Sequence, residues 1–180
     1  MTDFATLTAF LNTRDERVFG EHAHKPVEER DLLGRPSDLA HWLASQGLAA
    51  PSTRVSADDL ALARRLRDAL RDLLAGRDAG RSDLAAVASE LSLTVDFTGA
   101  EPTLERADRT PRSALARLLA ACVTAASQGT WTRLKMCSAD DCNWVFYDTS
   151  RNRLGRWCAM DVCGNRVKTS RYRARRRLLD

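Results

Sequence analysis

No run of eighteen or more apolar residues occurs in this 180-residue chain, so no segment is long enough to cross a bilayer as a helix. The opening Met1-Thr2-Asp3-Phe4 lacks a basic stretch leading into an apolar one, and no secretory leader is expected. There is no glycine-rich phosphate loop, no H-E-x-x-H pair and no evident pairing of nucleophile and base, which leaves an enzyme as the least supported class. Internal repeats are missing, and low-complexity sequence is confined to the arginine-rich end. Apolar residues make up 44 % and charged residues 29 %. That balance predicts a folded cytoplasmic protein without membrane association, one medium domain with a small appendage.

What the chain does have is concentrated in its last third. Cys137, Cys142, Cys158 and Cys163 form two C-x4-C pairs with fifteen residues between them. A reducing cytosol disfavours structural disulfides and leaves such thiols free for metal. The spacing predicts one structural zinc ion per chain, held by four thiolates. A segment this short cannot bury enough core to fold without such a staple. A knuckle at Cys137 to Cys142 should lead into a strand at Trp144 to Asp148, then a turn, then a return that brings Cys158 and Cys163 back. Trp144, Phe146 and Trp157 are expected to supply the small core around the metal, with base stacking as the alternative. Cys122 shares a helical face with Leu115, Leu118, Leu119 and Val123, and is read as a small buried hydrophobe.

Charge is equally lopsided. Residues 131–180 carry 12 Lys and Arg against 5 Asp, a balance of +7, whereas the first 130 residues stand at −3. Such asymmetry points to a polyanion partner for one end of the chain. Val167 to Leu179 contain neither glycine nor proline, so a terminal helix is expected, with Cys163 at or near its first turn. Val167, Ala174 and Leu178 would form an apolar stripe docking on the finger. Lys168, Arg171 and Arg175 flank it on one side, and Arg166, Arg173 and Arg177 on the other, with Arg176 adding to the cations,. Two rows of cations suit a phosphate backbone, and arginine suits guanine edges.

The first 130 residues read as helices. Phe4, Leu7, Phe10 and Leu11 share a face ending near Asn12-Thr13, and Arg14 to Arg30 is read as loop, with His22 and His24 solvated. Pro36 and Ser37 start a second helix that Gly47 ends, with His41 as a partly buried packing residue. Ser56-Ala57-Asp58-Asp59 opens the longest periodic stretch, with Leu62, Leu66, Leu70 and Leu73 in register and Gly76 and Gly80 bracketing its end,. Ser82 is expected to cap a helix with the stripe Leu84, Val87, Ala88 and Leu91. The period then changes to two at Leu93, Val95 and Phe97, and a turn at Gly99 to Pro102 leads into a return over Thr103 to Arg106, a small β-hairpin. Thr110-Pro111 launches a last helix to about Ser127, and Gly129 marks the boundary,. The fold class is therefore mainly α with a small β-hairpin. A helical, regulatory or dimerising N-terminal domain (1–130) is followed by a small four-cysteine zinc module (131–180) of short β elements and a basic C-terminal helix.

The cysteine spacing, the run Cys163-Gly164-Asn165-Arg166, Trp157 before the third cysteine, and Lys168 with Arg171 to Arg173 after the motif together resemble the CGNR zinc finger. Phe10-Leu11-Asn12-Thr13, and Asp31-Leu32-Leu33 followed by Leu39-Ala40-His41-Trp42-Leu43, resemble the ABATE domain that usually precedes it. The resemblance covers nearly the whole chain. It implies a bacterial, stress-related transcription regulator in which Cys137, Cys142, Cys158 and Cys163 hold structural zinc while Asn165, Arg166 and the basic helix contact DNA, placing the protein at the nucleoid. The alternative from a different class is a zinc-stabilised interaction module docking an acidic protein, and a thiol redox switch ranks below both. A homodimer is compatible with a regulator of this size; the N-terminal part is left open to a small-molecule effector, a second copy of itself or another protein.

Overall fold

Leu7, Phe10 and Leu11 turn one face of α1 (Phe4–Leu11) into a core that four further helices share. The computed structural model describes residues 4–100, 102–105 and 110–177, with the side chains of Glu105 and Arg177 excepted. The core is completed by α2 (Pro36–Ser45), α3 (Ala57–Leu74), α4 (Ala79–Leu91) and α5 (Pro111–Ser127). Pro36 sits in the first turn of α2 and Pro111 in that of α5, where a missing N–H is harmless. At α3 the Ser56 hydroxyl accepts from the Asp59 amide at 3.1 Å while the Asp59 carboxylate accepts from the Ser56 amide at 3.0 Å. This is a capping box, with Asp in the usual place of Glu, at the helix start expected from the sequence,.

Two expectations for the next helix are corrected. Ser82 is not its cap: α4 already begins at Ala79, and the Ser82 hydroxyl donates back to the Ala79 carbonyl at 3.0 Å. Gly80 does not end α3 but lies inside α4, where a Cβ would come within 2.6 Å of the Leu73 amide nitrogen and 2.9 Å of the Ala69 carbonyl oxygen. The glycine is there for close helix approach, not for a turn.

The hairpin forms as read, with β1 (Thr94–Asp96) antiparallel to β2 (Thr103–Glu105), Thr94 opposite Glu105 and Asp96 opposite Thr103. Its alternation does not bury Val95 and Phe97, which are 51 % and 74 % exposed, while Leu93 is half-buried against the helical core. Glu101 and Arg106 of the expected hairpin lie outside the described residues. His41 is exposed rather than half-buried. His22 is not free in solvent: its Nδ1 lies 3.2 Å from the Asp15 carboxylate.

The second sheet corrects the expected order of the finger. β4 (Val145–Tyr147) does not pair with a strand following it but with β3 (Leu134–Met136), which precedes the first cysteine, with Leu134 opposite Tyr147 and Met136 opposite Val145. The period of two in β4 divides its faces between two clusters. Val145 joins the helical core with Leu134, while Trp144 and Phe146 turn to the cysteines. Burying Leu134 and Val145 in the helical core contributes about 2 kcal/mol each and ties the finger to α1 and α3. The chain closes with a wide turn at Met160–Gly164 and α6 (Asn165–Arg177).

Candidate metal centre and basic helix

The knuckle is shaped by its backbone. The Cys137 amide donates to the Trp144 carbonyl at 2.9 Å, the Cys142 amide donates to Ala139 at 3.0 Å, and the Ser138 amide reaches across to Arg156 at 2.8 Å. Asn143 takes the left-handed conformation that reverses the chain after the second cysteine, a backbone that asparagine tolerates. The second pair is set by the turn at Met160–Gly164, in which the Cys163 and Gly164 amides both donate to the Ala159 carbonyl, at 3.0 and 3.2 Å. Cys163 therefore sits two residues ahead of α6, near its first turn as expected, and Gly164-Asn165 runs straight into the helix.

These loops bring the Sγ atoms of Cys137, Cys142, Cys158 and Cys163 within 4.8 Å of one another. Cys142 and Cys158 lie 3.7 Å apart, and Cys158 and Cys163 3.6 Å. Four sulfurs at about 2.3 Å from a central zinc define a tetrahedron with edges of about 3.8 Å. The four thiols fit a metal ion of that kind. Three of the four residues are buried, with Trp144, Phe146, Trp157 and Phe19 packed around them. The aromatic residues form the mini-core expected of them.

Electrostatics distinguish the sulfurs. Burial pushes the Cys158 thiol up to about 12 and raises Cys142 as well, with charge on the neighbouring sulfurs adding to both. Burial also acts on Cys163, but hydrogen bonds from Arg166 and the other cysteines outweigh it and lower that thiol. Cys122 stands apart from the cluster, pushed up to about 12 by burial, with its Sγ donating to the Leu118 carbonyl at 3.4 Å. It is the packing residue expected, not a ligand.

Two models of known families match the chain. One, for ABATE, described as "Putative stress-induced transcription regulator", matches residues 5–128. The chain belongs to the ABATE family. The CGNR zinc finger model matches residues 133–176, and no curated protein matches the chain. Together the two matches and the four-cysteine cluster support a zinc-binding regulator.

The ABATE segment makes close contacts with the finger, a feature that sequence reasoning missed. The Asn12 side chain pairs with the free edge of β4. The buried Arg71 donates to the Leu11 carbonyl at 2.9 Å and to the Asn143 carbonyl at 3.1 Å, and its other contact is Glu16 at 2.9 Å. Val18 donates to the Asp141 carbonyl at 2.9 Å, and the Arg17 guanidinium lies 4.2 Å from the Trp144 ring centroid. Behind these contacts the guanidinium of Arg67, 1 % exposed, grips Asp31 in a two-pronged pair at 2.6 and 2.8 Å and reaches Thr13 at 3.2 Å. The segment Arg14 to Arg30, read as loop, is largely irregular, with two short 3-10 turns, and lies over the finger through Phe19.

Arg166 is turned inwards. Its guanidinium pairs with Asp141, donates to the Cys163 sulfur at 3.6 Å and lies 3.9 Å from the Phe19 ring centroid. Asn165, by contrast, is exposed. From Lys168 to Arg176 every residue of α6 is exposed. Lys168, Arg171, Arg173, Arg175 and Arg176 are thus displayed to solvent, while the Arg177 side chain lies outside the described residues. The expected apolar stripe is corrected: Val167 packs on the cysteine cluster, but Ala174 is exposed and Leu178 lies outside the described residues. The helix outruns the surface it was expected to dock on. A depression of about 480 Å³ follows one side of α6 past Asn165, Thr169 and Arg173. Among the described residues, no helix is long and apolar enough to cross a membrane.

Proposed function

We propose that this chain is a zinc-dependent, DNA-binding transcription regulator of the bacterial cytoplasm. One structural zinc ion would be held by Cys137, Cys142, Cys158 and Cys163, closing the finger and offering no open position for catalysis. Residues 131–180 would bind DNA, and residues 1–130 would sense a signal or dimerise. The observation that carries the reading is α6, exposed from Lys168 to Arg176 and rooted in the cysteine cluster through Cys163, Arg166 and Val167. Asn165, Lys168, Arg171, Arg173, Arg175, Arg176 and Arg177 are its contact residues. Arg166 acts as a brace that fixes the direction in which the helix leaves the finger.

The test is fluorescence anisotropy of a labelled duplex titrated at several salt concentrations, with a parallel sample stripped of zinc by chelator. Five neutralised phosphates predict a slope of log K against log[salt] of about −4 to −5. Cys158→Ser should release zinc and abolish binding, and Arg171→Ala with Arg175→Ala should flatten the slope with zinc retained. Absence of binding at low salt would reject the DNA reading in favour of an acidic protein partner.

A further inference from the structure

Two half-buried cations of the finger hold a loop. The Lys135 ammonium donates to the Asp148 carboxylate at 2.7 Å and to the Gly155 carbonyl at 3.2 Å, and Arg133 donates to the carbonyls of Asp148 and Ser150 at 2.8 and 3.0 Å. Asp148, only 4 % exposed, accepts in turn from the amides of Ser150 at 3.0 Å and Gly155 at 2.8 Å and from the Ser150 hydroxyl at 2.6 Å. The ammonium of Lys135 and these donors hold its carboxyl well below the usual range. A Cβ on Gly155 would lie 2.7 Å from the Asp148 carboxyl carbon, so the loop closes against the carboxylate with no room to spare. The result is a braced turn, its ends fixed at Asp148 and Gly155.

That brace displays arginines. Thr149 to Met160 contain Arg151, Arg153 and Arg156 and no Asp or Glu, and all three arginines are exposed. Arg153 is tethered, donating to the Gly129 carbonyl at 3.1 Å. Arg151 makes no hydrogen bond or ion pair with the described residues, and the Arg156 guanidinium rests 5.4 Å from the Trp157 ring centroid. Trp157 in turn abuts Gly164, its Cδ1 3.1 Å from where a Cβ there would stand. Gly164 directly precedes α6, so the charge of the loop adjoins the start of the basic helix.

We infer that the braced loop Arg151–Arg156 is a second phosphate-binding element beside α6, with Arg151 and Arg156 contacting the DNA backbone. The inference rests on the DNA reading above and extends it. An arginine on a fixed loop loses less freedom on meeting a phosphate than one on a mobile tail, and backbone contacts of this kind set register without reading sequence. Two anchors at different angles would orient α6 on the duplex where one would leave it free to roll.

The test is the anisotropy titration on the full-length, zinc-loaded protein, comparing wild type, Arg151→Gln with Arg156→Gln, and Arg151→Lys with Arg156→Lys. The glutamine pair should lower affinity by roughly tenfold or more at 0.1 M salt and reduce the salt slope by about 2, with zinc content and circular dichroism unchanged, and the lysine pair should restore most of the slope. A wild-type slope in the glutamine pair, while Arg171→Ala with Arg175→Ala reduces it, would overturn the loop assignment and leave the DNA reading intact. Failure of the wild type to bind at any salt would remove both.

Discussion

Asn12 and Val145 exchange two hydrogen bonds: the Asn12 side-chain amide donates to the Val145 carbonyl at 2.8 Å, and the Val145 amide donates to the Asn12 side-chain oxygen at 2.9 Å. An asparagine here does the work of a strand residue. β4 has β3 on one edge and the end of α1 on the other, so the edge opposite β3 is partnered from 133 residues away in the chain. Asn12→Ala would leave both Val145 groups buried and unpaired. The expected cost is about 2–4 kcal/mol, read from urea unfolding, and the variant should also release zinc to a chelator sooner than the wild type.

Arg166 should matter more to metal than its place on a basic helix suggests. It touches the Cys163 sulfur and Asp141 at once, and residues that orient ligands in this way typically change metal affinity about 10- to 100-fold. Arg166→Gln should weaken zinc binding by that order in a competition titration. A variant with unchanged zinc affinity and weakened DNA binding would return Arg166 to the contact surface.

The Arg67–Asp31 pair predicts an acid sensitivity with a defined sign. Burial raises the Asp31 carboxyl, but Arg67, the Leu33 amide and Arg64 more than offset it, leaving it below its ordinary value. A depressed carboxylate contributes stability that is fully present above the unfolded value of about 3.9 and is lost as pH falls through the folded one. Asp31→Asn would leave the buried guanidinium with the more exposed Asp68, 3.0 Å from its Nε, as its ionic partner, at a cost of about 2–3 kcal/mol at neutral pH. The gap between wild type and variant in thermal unfolding should narrow steadily below about pH 4, and a gap independent of pH would show that the charge is not what stabilises.

Gly80→Ala would set a methyl group against the α3 backbone at Leu73, Ala69 and Asp72. Backbone cannot step aside as a side chain can, so the two helices must part. A loss of about 1–3 kcal/mol is expected, measured as a lowered midpoint in urea with an unchanged slope.

Much of this architecture was legible in the residues. Pro36, Ser56 and Pro111 mark helix starts by backbone chemistry that needs no tertiary context, and the four cysteines announce their own convergence. Hidden from any such reading were polar residues whose partners lie far off in sequence. Arg67 and Arg71 sit beside the stripe of Leu66 and Leu70 with the spacing of solvent-facing side chains, and distant partners such as Asp31, the Leu11 carbonyl and the Asn143 carbonyl make them interior. β3 escaped notice because three residues carry too little pattern to signal a strand. The length of α6 was legible, but its exposure was not, since periodicity shows that a stripe exists and not that a surface lies opposite.

The exposed run Lys168 to Arg176 has one more consequence. Arg171 and Arg175 are four residues apart on the same helix, while Lys168 and Arg171, and Arg173 and Arg176, are three apart. Each such pair of like charges opposes helix formation by about 0.2–0.5 kcal/mol, an effect that ions screen. With no packing along that face to compensate, the helix content of α6 should rise as counterions gather. Salt would then act on this protein in opposing senses, firming the helix while weakening its hold on phosphate, and the plot of log K against log[salt] should bend at the dilute end.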